Sequence, residues 1–75
     1  MGRLRVLSGT EVCGILAQNG FVAVRQRGSH QIMQKRSETT TITVPVPLHN
    51  PVRRGTLGSI VRQSELSKSL FEIDS

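Results

Sequence analysis

The apolar residues of this chain change their spacing twice, and those two changes fix the order of its elements. Val12, Ile15 and Leu16 recur at helical intervals, residues 21–27 and 39–46 alternate, and Leu57, Ile60 and Val61 return to i, i+3, i+4. Ser8-Gly9-Thr10-Glu11 has the form of a capping box, in which the serine hydroxyl takes an orphan amide and the glutamate reaches back. Asn19-Gly20 is a good C-terminal stop, so a first helix is predicted over residues 9–18. Its apolar stripe is narrow, and such a helix is stable only when it lies on another element.

Between the two helical stretches the pattern is that of strands. Val22, Val24 and Gln26 alternate with Phe21, Ala23, Arg25 and Arg27. Gly28-Ser29 makes a turn, and residues 30–36 return with Ile32 and Met33 as their apolar members. Residues 39–46 are rich in β-branched side chains, with Ile42, Val44 and Val46 on one face and Thr41, Thr43 and Pro45 on the other. Pro45 cannot donate to a ladder, so this strand is expected to fray or to lie at an edge there. Pro45, Pro47 and Pro51 bracket a loop that also holds His49 and Asn50. A second helix is predicted over about residues 56–65, with Thr56 as its N-cap. Residues 1–7 read as a short basic lead-in, and residues 66–71 as a helical turn or a tail. The sum is a single α+β domain over residues 1–75, ordered α-β-β-β-α like the double-stranded-RNA-binding domain. Its three-stranded antiparallel sheet would carry both helices on one face. The expected core is Val12, Ile15, Leu16, Phe21, Val22, Val24, Ile42, Val44, Leu57, Ile60 and Val61.

Composition narrows the class. A chain of 75 residues is near the lower end of what folds alone, burying about 60% of its unfolded surface. No apolar run approaches the roughly 18 residues of a membrane helix, and no signal-like segment opens the chain. The lone Cys13 cannot form an internal disulfide, and no Cys/His cluster suggests zinc. The expectation is a reduced, cytoplasmic protein without metal, cofactor or membrane contact. Charge is uneven: in residues 1–37, Arg3, Arg5, Arg25, Arg27, Lys35 and Arg36 stand against Glu11 alone. In residues 38–75, Arg53, Arg54, Arg62 and Lys68 are balanced by Glu38, Glu65, Glu72 and Asp74, so the net +5 belongs to the first half. Such an excess attracts polyanions.

Within that basic half, Gly28-Ser29-His30 is a tight turn ending in an imidazole. Histidine is the side chain that exchanges a proton near neutral pH without help. Arg25 and Arg27 precede it and Lys35 and Arg36 follow, so a phosphodiester would be drawn to it. Strand alternation places Arg25 and Arg27 together and puts Lys35 with Gln31 and Met33, opposite His30, which ranks the two arginines above Lys35. Arg53 and Arg54, just before the second helix, are further phosphate-binding candidates.

Leu7-Ser8-Gly9-Thr10-Glu11-Val12, Asn19-Gly20-Phe21 and Arg25-Gln26-Arg27-Gly28-Ser29-His30 are followed by Thr43-Val44-Pro45-Val46 and Arg54-Gly55-Thr56-Leu57-Gly58-Ser59-Ile60-Val61-Arg62-Gln63. By these segments, in this order, the chain resembles the HicA toxins of bacterial type II toxin–antitoxin modules. The resemblance implies metal-independent cleavage of mRNA with His30 as the catalytic residue. It also implies a HicB-type antitoxin that covers the active face and brings the pair to promoter DNA.

RNA carries its own nucleophile, the 2′-hydroxyl. The protein must therefore take that proton, steady the phosphoryl charge and protonate the leaving 5′-oxygen. A histidine performs either proton step, typically for a factor of about 10² to 10⁴. Neutral His30 is expected to act as base, the neighbouring cations disfavouring its charged form. Arg25, Arg27, Gly28, Ser29, Lys35, Arg53 and Arg54 are the expected RNA contacts. For the second proton carrier the residues leave His49, Ser29 and a water open. Two other functions compete with the nuclease. One is a non-catalytic binder of structured RNA, and the other is a DNA regulator reading bases with Ser59, Arg62 and Gln63.

Overall fold

The computed structural model describes residues 2–73; Asp74, the last acidic residue of the tail, lies outside them. Strand β1 (Arg3–Leu4) opens the described chain and pairs antiparallel with Glu72–Ile73 at the other end. The basic lead-in is therefore a built element. Arg5 N donates to the Phe71 carbonyl at 2.9 Å and Val52 N to that of Leu7 at 2.8 Å, which anchors Leu7 in the core.

Helix α1 (Gly9–Gln18) has the predicted bounds, because both of its ends are encoded locally. Glu11 N donates to Ser8 Oγ at 3.1 Å, and Ser8 N donates to Glu11 Oε1 at 2.9 Å. The bond from the Ser8 backbone, then that with its hydroxyl, hold the Glu11 carboxyl below its ordinary range; desolvation opposes them and nearby Arg5 adds a smaller lowering. A carboxyl lowered on folding stabilises fully above its unfolded range and stops doing so as pH falls through the lowered value. Glu11→Gln should therefore melt below the wild type at neutral pH, and the two curves should converge in acid. A gap that stays constant across pH would show that the charge contributes nothing.

Strands β2 (Val22–Arg27), β3 (His30–Arg36) and β4 (Thr41–Pro47) form an antiparallel sheet in that order. β4 is an edge strand, as Pro45 requires, yet its ladder with β3 runs through Pro45 to Pro47. β2 departs from the simple alternation. Its register passes from Ala23↔Met33 to Arg25↔Ile32, leaving Val24 as the extra residue of a β-bulge. Val22 and Val24 were expected in the core, but they are 63% and 47% exposed. The reason is twofold: β2 is an edge strand, and the core-facing side at its start is taken by the buried Phe21 and by Ala23, which shares the Met33 side.

Helix α2 (Arg54–Ser64) starts two residues before the predicted N-cap. Arg53 is extended and its carbonyl accepts from Leu57 N at 2.8 Å, so Thr56 lies inside the first turn. Glu65 ends the helix in the left-handed region. A 3₁₀ turn (Lys68–Phe71) follows, burying Phe71, and β5 (Glu72–Ile73) closes on β1. Both helices share one core, in which Val12, Leu16, Leu57, Ile60 and Val61 meet Phe21, Met33, Val44 and Val46. Ile15 and Ile42 pack at its margin. The fold is α+β with the α-β-β-β-α topology of double-stranded-RNA-binding domains. No helix among the described residues is long and apolar enough to cross a membrane.

Candidate active site

Gly28 and Ser29 form the two-residue link between β2 and β3, closed by the Arg27↔His30 pair. Gly28 takes a φ of 57° while Ser29 does not enter the left-handed region, the pattern of a II′ hairpin turn. His30 is thus the first residue of the central strand, and it is exposed.

Directly opposed residues share a face. Arg27 pairs with His30 and Arg25 with Ile32, so both arginines lie on the imidazole's side of the sheet. It is the bulge at Val24 that puts Ala23, though exposed, on the Met33 side of the sheet while Arg25 and Arg27 lie on the other. Lys35 pairs with Ile42 on the opposite face, where its ammonium lies 6.0 Å from the Phe21 ring centroid.

The structure brings His49 to His30. His30 pairs with Pro47, and Leu48 N donates to the Ser29 carbonyl at 2.7 Å. Gly9 N holds the His49 carbonyl at 2.8 Å, so the loop is fixed both to the hairpin turn and to the start of α1. The two histidines line one open groove of about 550 Å³, walled by Pro45, Pro47 and Pro51 and, from α2, by Thr56, Ser59, Ile60 and Gln63. Arg53 stands on its rim, whereas Arg54 faces a neighbouring groove. The expected candidates divide accordingly. His30, Arg25 and Arg27 share the outer sheet face, Arg53 joins His30 in the groove, and Lys35 and Arg54 lie elsewhere.

Sequence reasoning left His49 as one option among three. The signal that places it is its distance of two residues from Pro47 on a strand pairing with His30, and that register is readable only in the folded sheet. Ser59 and Gln63, named as base readers, face this groove, and Arg62 donates to Ser59 Oγ at 3.1 Å. Cys13 packs against the core, and burial pushes its thiol up, away from a reactive thiolate. Among the described residues no three His, Cys, Asp or Glu side chains are grouped to hold a metal ion.

A family model described as HicA toxin of bacterial toxin-antitoxin matches residues 9–66, more than half of the chain. The match runs from the start of α1 past the end of α2 and includes both groove histidines. No curated protein matches the chain.

Proposed function

The chain belongs to the HicA toxin family, and on that premise we propose that it is a metal-independent endoribonuclease that cleaves mRNA in the bacterial cytoplasm. The observation that supports this reading is the groove shared by His30 and His49, with Arg53 on its rim and Arg27 directly across the hairpin from His30.

In the proposed reaction neutral His30 takes the 2′-hydroxyl proton. The 2′-oxygen then bonds to the adjacent phosphorus and the bond from phosphorus to the 5′-oxygen breaks. Charge gathering on the non-bridging oxygens is met by Arg27, Arg25 and Arg53, for which a guanidinium's paired donors are suited. His49, charged, gives its proton to the departing 5′-oxygen. The products are a 2′,3′-cyclic phosphate and a 5′-hydroxyl, and the two histidines exchange protonation states.

A base that must be neutral and an acid that must be charged make the rate fall on both sides of an optimum pH. With a chelator present, cleavage should persist and leave cyclic-phosphate ends. His49→Ala should slow it by about 10²-fold and remove the fall on the alkaline side. Ends bearing 5′-phosphate would rule out attack by the 2′-hydroxyl. An alkaline fall kept in His49→Ala would remove His49 from the role of acid.

The family implies an antitoxin partner. We assign a HicB-type antitoxin to the outer sheet face, where Val22 and Val24 are exposed on the edge strand β2 beside the residues of the site. Contact with promoter DNA would pass through that complex.

A further inference from the structure

A second groove, of about 470 Å³, lies beside the first, between the β1 segment and the start of α2. Arg3, Arg5, Arg53 and Arg54 line it over an apolar floor that includes Val52 and Leu57. Among the described residues no carboxylate belongs to its lining, and the ion pair found among them, Lys68–Glu72, involves none of these arginines. Its arginines come from two remote segments of the sequence, residues 3–5 and 53–54. They are held together by the Val52–Leu7 and Arg5–Phe71 backbone bonds and by the β1–β5 ladder.

Four guanidinium groups lining one groove repel one another, and Glu11, the carboxylate that feels Arg5, is not part of that lining, an arrangement suited to a polyanion. Arg53 and Pro51 line both grooves, so the two adjoin at these residues. We propose that this arginine groove binds the phosphates of the RNA strand beyond the scissile linkage, the strand passing from the His30 groove over Arg53. The inference rests on the reading of the first groove as the RNA cleavage site. Adjacency to that groove, with Arg53 shared between the two, is what favours a nucleic-acid strand over an acidic segment of a protein. Its occupancy is sequence-independent, since guanidinium groups meet phosphates and the apolar floor accepts ribose or any base face.

The test uses the full chain and two substrates, a dinucleotide and a single strand of about 12 nucleotides, within the site sizes of single-strand binders. A 2′-O-methyl version of the longer strand cannot be cleaved and reports binding by fluorescence anisotropy across salt. Arg3→Gln/Arg5→Gln should weaken its binding by on the order of tenfold at 0.1 M salt and lower the log–log salt slope by about 1.4, two phosphate contacts being lost. Turnover of the dinucleotide should be unchanged. Arg54→Gln alone should lower the slope by about 0.7, and matched melting curves would show that the fold is intact.

Equal slopes for wild type and double variant would overturn the inference. So would a double variant that keeps RNA binding and loses the antitoxin, which would give the groove to the protein partner. A wild type that binds the long strand with the stated arginine dependence and never turns over the dinucleotide would instead sink the nuclease reading and leave the groove standing.

Discussion

His30→Ala is expected to abolish detectable RNA cleavage, with a loss of about 10² to 10⁴-fold, and to relieve growth inhibition in cells. The fold should persist, because His30 is exposed and its place in β3 is held by backbone pairing with Arg27 and Pro47. Binding of a long RNA should also persist, since the arginines proposed to contact phosphate remain. Cleavage assays in chelator, alongside melting curves and anisotropy, separate these quantities. An alanine variant that cuts at the wild-type rate would end the assignment of His30. A wild type that binds RNA and never cuts it would favour the non-catalytic binder.

Gly9→Ala should be among the most damaging small substitutions in the chain, and chemistry at the site should suffer with stability. Gly9 is buried at the first position of α1. A Cβ there would run into the Pro47 carbonyl oxygen and stand 2.7 Å from the Leu48 Cα, both backbone atoms that cannot rotate away. Overpacking of this kind costs about 1–3 kcal/mol, and each 1 kcal/mol lowers the melting midpoint of a domain this small by roughly 4–8 °C. The displaced segment carries Pro47, opposite His30, and His49, whose carbonyl the Gly9 amide holds. The surviving folded fraction should therefore cleave more slowly than the wild type. Gly14→Ala is the matched control. Nothing lies within 4 Å of its Cβ position, so alanine there should stabilise the helix by up to about 1 kcal/mol. If both variants melt alike, close contact between α1 and the proline loop is not a constraint.

Gly9 also shows where the sequence stops being legible. As a letter in Ser8-Gly9-Thr10-Glu11 it reads as a permissive residue inside a cap. Its actual constraint comes from a loop some forty positions away. The same division holds for the valines of β2. Their alternation identifies a strand correctly, yet the bulge at Val24 exchanges the faces partway along. A bulge depends on how two strands pair, and spacing within one of them does not encode it.

The site divides in the same way. His30 and its turn were visible as a local motif, because Gly28 must adopt a positive φ for the hairpin to close. That Lys35 lies on the other face followed from alternation along β3, which has no bulge against β4. His49 was visible only as a histidine in a loop, and the arginines of residues 3–5 only as part of a basic lead-in.

What the sequence determined by itself is everything carried by short-range physics. The capping box and the Asn19-Gly20 stop bounded α1, apolar spacing sorted helices from strands, and Gly28-Ser29 set the hairpin with His30 at its end. Only the tertiary structure decided which distant groups share a surface: His49 with His30, and Arg3 and Arg5 with Arg53 and Arg54. Those meetings depend on strand register and on backbone bonds between remote segments, and such contacts form only when the shared core brings those segments together.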